Sequence, residues 1–89
     1  MESKFCYVYV LYSLSDKKLY IGCTENLKIR FEQHNRGAVL STKDRRPLDL
    51  VYYEACRDLC DARHREKYLK TTYGHHYLKD RLKSYFTGS

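Results

Sequence analysis

The chain has 89 residues and carries 17 Lys and Arg against 11 Asp and Glu, a formal net charge of +6 with a sequence pI of about 9.2. Pro and Gly are scarce, no repeat or low-complexity segment appears, and the longest unbroken apolar run, Phe5 to Tyr12, is too short for a bilayer, which argues against disordered, solenoid and membrane-spanning classes. A single domain over 1–89, with its core at about 5–83, is expected at this length, and its positive surface is expected to attract polyanions, nucleic acid foremost.

The N-terminal MESKF has no apolar signal region, so a soluble, cytoplasmic protein is expected. Cys6, Cys23, Cys56 and Cys60 should then be free thiols, with Cys6 alternating along a strand as a small buried hydrophobe. Their spacings do not offer the tight pairs that a structural zinc uses.

The stretch YVYVLYSLSDKKLYIGCTENLKIRFEQH, Tyr7 to His34, organises the rest. Phe5 to Tyr12 is aromatic and β-branched and apolar on both faces, which predicts a central strand covered on two sides. Ser13 to Lys18 is a polar turn, and Leu19 to Gly22 resumes a strand, so the simplest connection is an antiparallel hairpin that brings Tyr20 within a residue or two of facing Tyr9. Thr24 is the expected cap of a helix running to about Asn35. Leu27, Arg30, Phe31 and His34 share about 100° of its arc, so an arginine and a histidine sit on the inward stripe.

Asn35 and Gly37 should end that helix. Ala38 to Pro47 is a predicted loop whose Ser41, Thr42, Lys43, Arg45 and Arg46 suit phosphate contacts, although a solvated loop has the same composition. Leu48 to Ala55 reads as a third strand starting after Pro47. Asp58 caps a second helix on which Leu59, Ala62, Glu66, Leu69 and Tyr73 share about 80° of arc. An unpaired carboxylate on that apolar stripe costs several kcal/mol, so Glu66 requires a cation, hydrogen bonds or an exit to solvent. A pair with Lys70 or Arg63 is the simplest alternative, but the helix would make that pair equally well on its outer face. Gly74 is expected to break the helix, and His75 to Phe86 to form a last basic helix with Leu78, Leu82 and Tyr85 facing in.

Taken together, YVY at Tyr7 to Tyr9, YIG at Tyr20 to Gly22, Arg30, His34 and Glu66 in the next long helix resemble the GIY-YIG nuclease superfamily. The runs STKDRRPLDLVYYEA and DARHREKYLKTTYGHHYLKDRL are similar to its small stand-alone bacterial members. The resemblance covers about Phe5 to Lys83. It implies an α/β (α+β) domain with a small three-stranded antiparallel sheet flanked by helices, and metal-dependent hydrolysis of phosphodiesters in DNA, as in repair and homing nucleases. It makes Tyr9 and Tyr20 the active-site phenols, Arg30 the phosphate-binding arginine, His34 the residue where the family has His or Tyr, and Glu66 the ligand of Mg²⁺ or Mn²⁺. Three positions depart from the pattern. Tyr7 replaces the first glycine, Cys23 stands where some repair members have a lysine, and no asparagine follows Glu66.

Hydrolysis needs a deprotonated nucleophile, compensation for charge on the phosphoryl oxygens and help for the leaving alkoxide. Tyr9 is the expected base, with its phenol lowered by Arg30 and the metal, Tyr20 orients water or phosphate, and His34 relays a proton. The alternatives are a non-catalytic nucleic-acid-binding module using the same basic cleft, and a structural partner-binding domain whose charge only aids solubility. Specificity for DNA is left to a protein partner, a homo-oligomer, recognition of DNA shape, or relaxed cutting.

Overall fold

The computed structural model describes residues 4–88. Cys6–Ser13 forms β1, Leu19–Thr24 β2 and Leu48–Cys56 β3, and both neighbours pair antiparallel with β1 in the order β2-β1-β3. The central position of β1 follows from its two apolar faces: Val8, Tyr9, Val10 and Leu11 are all essentially inaccessible. Helices α1 (Leu27–Asn35), α2 (Leu59–Leu69), α3 (Thr72–Arg81) and α4 (Lys83–Thr87) complete an α+β arrangement. None of the described helices is long and apolar enough to cross a membrane.

The pleat divides the core in two. Cys6, Val8, Val10 and Ile21 pack with Ala62 of α2, Leu69 of α2 and Leu78 of α3 on one face. Tyr9 and Leu11 pack with Leu48 on the other, joined by Leu27 and Phe31 of α1. In the hairpin, Tyr9 lies opposite Gly22 and Leu11 opposite Tyr20, so the two tyrosines share a face two residues apart in register.

Three boundaries differ from the sequence expectations, the first two through a side chain that competes for a backbone group. Thr24 does not cap α1. Its hydroxyl accepts from the Asn26 N–H, and Asn26 is the cap, accepting from the Ile29 N–H at 3.1 Å. The C-terminal end does fall at Asn35: the Gly37 N–H reaches His34 O and the Ala38 N–H reaches Gln33 O, with Gly37 at φ 79, which is the Schellman arrangement that favours glycine.

The second difference lies after α2, which ends at Leu69 rather than continuing to Gly74. The Thr71 hydroxyl donates to Tyr68 O at 2.6 Å and accepts from the Gly74 N–H at 3.1 Å, so it closes one helix and caps the next. Tyr73 therefore leaves the predicted apolar stripe and is 76% exposed. Gly74 is not a breaker but a buried residue in the first turn of α3, where a Cβ would overlap Tyr68 O and the Leu69 backbone. Gly74→Ala is expected to destabilise the protein by ~1–3 kcal/mol through this overpacking, read as a lower midpoint in urea unfolding. The third difference is that the predicted last helix is two, α3 and α4, meeting at Leu82. Leu78 is buried as expected, but Tyr85 is exposed and donates its hydroxyl to Asp49 at 2.7 Å.

Candidate active site

Three elements bring four of the predicted site residues together. β1 supplies Tyr9, β2 supplies Tyr20, and one face of α1 supplies Arg30 and His34, with the His34 ring centroid 5.5 Å from that of Tyr9 and 5.2 Å from that of Tyr20. The Tyr9 and Tyr20 rings lie 6.4 Å apart. Gly22 makes room for this arrangement. It faces Tyr9 across the hairpin, and a Cβ there would overlap the Tyr9 phenol.

The hydrogen bonds around Tyr9 have a fixed direction. Arg30 Nε, which can only donate, lies 3.4 Å from the Tyr9 oxygen, so the phenol accepts there, and His34 Nε2 at 2.9 Å is the one acceptor among the described residues left for the phenolic proton. Nε2 is then the acceptor of the ring and Nδ1 carries the hydrogen, donating to the Thr42 hydroxyl at 2.7 Å. Arg30 Nη1 donates to Gln33 Oε1 at 3.1 Å, leaving the second terminal nitrogen of the guanidinium for a ligand. Tyr20 accepts from Ser41 at 3.4 Å.

Electrostatics keep the chain of groups neutral in the resting protein. Burial raises the Tyr9 phenol above its ordinary value, the Arg30 hydrogen bond and charge oppose this, and the Tyr20 and Glu66 charges add to the rise. The expected lowering by Arg30 is thus present but outweighed by desolvation. Burial and the Arg30 charge push His34 down to about 4, so its imidazole is neutral near pH 7 and its Nε2 can accept the phenolic hydrogen bond.

That shift has a consequence for stability. Because the folded-state value lies below the ordinary 6.5, the unfolded chain binds the extra proton between pH 6.5 and about 4, and stability falls as pH drops through that window. The loss is expected to reach at most ~3 kcal/mol. Urea unfolding at pH 7 and pH 4.5 should show a smaller drop for His34→Gln than for the parent protein.

Glu66 comes from α2, where its side chain is 20% exposed, and its charge makes the smallest of the contributions that raise the Tyr9 phenol and also helps raise the Cys23 thiol. The i+4 pair with Lys70 forms, at 3.0 Å, but Lys70 is 55% exposed and easily displaced into solvent. No cluster of three or more His, Cys, Asp or Glu able to cage a metal occurs among the described residues. A single partly exposed carboxylate still fits a hard divalent cation of the Mg²⁺ type, which keeps several waters and completes its shell with substrate phosphate.

The loop residues expected to touch phosphate are mostly engaged in anchoring. Thr42 is fully buried beneath His34, so its hydroxyl orients the imidazole rather than facing a surface. Arg45 pairs with Asp16 at 2.6 Å, holding that carboxyl at about 2, and also donates to the carbonyls of Lys18 and Leu19. Arg46 donates to Lys43 O and Asn35 O across Gly37. Lys43 is exposed and its ammonium makes no ion pair with a described residue. The roles of Thr42 and Gly22 were not legible in the sequence, because each depends on a neighbour brought across the fold.

Comparison with known proteins follows the same residues. The chain matches the family model described as the GIY-YIG catalytic domain over residues 5–78. It is similar to a UPF0213 protein of Clostridium perfringens, 42% identical over 65 residues that cover 72% of this chain and 69% of that protein. A UPF0213 protein of Syntrophus aciditrophicus is 42% identical over 66 residues, covering 72% and 75%. One from Staphylococcus aureus strain Mu3 is 40% identical over 72 residues, covering 80% and 84%. No solved structure is a significant match.

Proposed function

Because the chain belongs to the GIY-YIG catalytic domain family, a family of nucleases that generally use divalent metals, we propose that it is a metal-dependent DNA endonuclease acting in DNA repair or processing. The observation that carries this reading is the ordered series Arg30, Tyr9, His34 and Thr42, beside Tyr20 and within reach of the Glu66 charge. A tyrosine in an ordinary core needs neither an arginine donor nor a neutral histidine acceptor on the same oxygen.

In the proposed reaction a water oxygen attacks phosphorus and the P–O bond to the leaving alkoxide breaks. The proton of the water passes to the Tyr9 oxygen as the phenolic proton passes to His34 Nε2, so the phenol need not ionise in the resting protein; the leaving alkoxide takes a proton from solvent and His34 returns its own to solvent. Thr42 holds the imidazole with Nε2 toward Tyr9 throughout. Arg30 binds a phosphoryl oxygen through its uncommitted nitrogen, where the guanidinium compensates charge that grows in the transition state. Tyr20, more exposed than Tyr9, orients the water or the phosphate. Glu66 would hold Mg²⁺ or Mn²⁺, which when bound supplies positive charge to the phosphoryl and leaving oxygens. Lys43 contacts a flanking phosphate, with the charges of Arg45 and Arg46 behind it.

A non-catalytic binding module on the same surface is the second reading. It gains nothing from a partly buried carboxylate beside a phosphate site, since without a cation Glu66 repels the ligand. The test is cutting of plasmid, branched and single-stranded DNA with Mg²⁺ or Mn²⁺. Cleavage that stops on addition of EDTA and returns with excess metal is the expected result, whereas DNA binding with no cleavage under any metal supports the module.

A further inference from the structure

A second basic feature lies outside the site just described. The hairpin turn, α3 and α4 enclose a groove of about 640 Å³, within the usual range for ligand sites, lined by Tyr12, Lys17, Lys18, Lys79, Lys83 and Phe86 among others. Tyr12 and Phe86 meet edge to face with centroids 5.3 Å apart. Among the described residues, none of the four lysine ammoniums makes an ion pair and no acidic residue lines the groove. The acids nearest in sequence or register are engaged elsewhere or lie outside it: Asp16 is held by Arg45, Asp49 accepts from Tyr85, and Asp80 does not line the groove.

We propose that this groove binds unpaired nucleotides of a nucleic-acid strand, an inference that rests on the nuclease reading and supplies it with a substrate preference. The lining is chemically two-part: aromatic rings to stack a base, and four uncompensated cations to follow its phosphates. A base in a duplex has both faces covered by its neighbours, so a single strand or an unpaired tail uses the rings and a blunt duplex does not. His75, Lys79 and Lys83 recur at four-residue steps across the junction of α3 and α4, which gives the cationic wall a linear track. Leu19 in the opposite wall is followed along β2 by Tyr20, whose side chain lies on the other face of the sheet with Tyr9 and Leu11, so the groove and the candidate site sit on opposite faces across the β2 edge. A strand seated in the groove reaches the candidate site by crossing that edge, and DNA carrying a tail or flap is the substrate this assignment favours.

The test is fluorescence anisotropy in EDTA, with labelled oligothymidylate and with a blunt duplex of equal phosphate number, so that binding is read without cleavage. The parent protein is expected to prefer the single strand. Lys79→Glu/Lys83→Glu should weaken oligothymidylate binding by ~10-fold or more, and Phe86→Leu should weaken it by less while leaving the duplex unaffected. Lys28→Glu, a charge change outside the groove, should have a markedly smaller effect. Circular dichroism of the lysine variant checks its fold, since both side chains are exposed. Unchanged oligothymidylate affinity in the folded lysine variant would overturn the proposal, and so would equal losses for single strand and duplex. If the parent binds as expected but cuts no DNA with any metal, the nuclease reading fails and the groove assignment stands.

Discussion

Glu66→Gln is expected to lower metal-dependent cutting by at least ~100-fold while leaving the protein folded. The substitution keeps the shape of the side chain and removes the charge that would hold the cation. Its effect on stability should be small, because the ion pair lost among the described residues is the i,i+4 contact with Lys70, whose mostly solvated ammonium limits it to a few tenths of a kcal/mol. Lys70→Gln separates the two roles of the carboxylate. With its competitor gone, Glu66 should bind the cation more readily, and half-maximal cutting should need less Mg²⁺ than in the parent. If Glu66→Gln and Lys70→Gln instead behave alike, with near-parental cleavage, the carboxylate serves only the helix and the metal-site assignment is wrong.

Arg30→Ala is expected to cost a similar ~100-fold or more, and Arg30→Lys to recover little of it. The guanidinium serves separate partners: Nε donates to the Tyr9 oxygen and Nη1 to Gln33, and the remaining nitrogen would be the one to bind a phosphate. A lysine ammonium is a single point of charge and cannot serve Tyr9 and a phosphate in that geometry. Single-turnover cleavage of one defined DNA, measured at saturating protein, distinguishes this from loss of affinity. A lysine variant that cuts at the parental rate would show that only charge is required there, and the directed hydrogen bond to Tyr9 would lose its catalytic meaning.

Much of the candidate site could be read along the chain because its members recur at periods set by local geometry. Tyr9 and Tyr20 fall on strands whose alternation puts them on one face, and Arg30 and His34 are one helical turn apart beside Leu27 and Phe31. The turn from β1 to β2 and the end of α1 at Gly37 are likewise local, and both lie where expected. The helix starts were less legible. Thr24 and Asn26 are both competent caps two residues apart, and the choice went to the residue whose oxygen reaches the free N–H of Ile29. Thr71 carries no distinctive pattern in the sequence, yet its hydroxyl serves both sides of the junction.

The loop after α1 shows the limit most clearly. Ser41, Thr42, Lys43, Arg45 and Arg46 have the composition of a phosphate-binding segment, and composition does not record which side chains turn inward. Thr42 goes beneath His34, Arg45 to the hairpin turn and Arg46 over Gly37, since each unpaired polar group near the core gains more from a nearby partner than from solvent. The same holds for Glu54 and Arg65, which form a bidentate pair between β3 and α2 at 2.9 Å and hold the Glu54 carboxyl low against the opposing effect of burial.

By itself the order of amino acids determined the strands, the inward stripe of α1, the basic charge and the residues on which family membership rests, because these depend on neighbours a few positions away. Only the tertiary structure decided that the Tyr9 proton points to a neutral His34, that burial outweighs Arg30 at the phenol, and that four lysines and two aromatic rings from distant segments share one groove. Those outcomes depend on distances and desolvation between groups the chain does not place side by side, and such energies exist only once the core has closed around them.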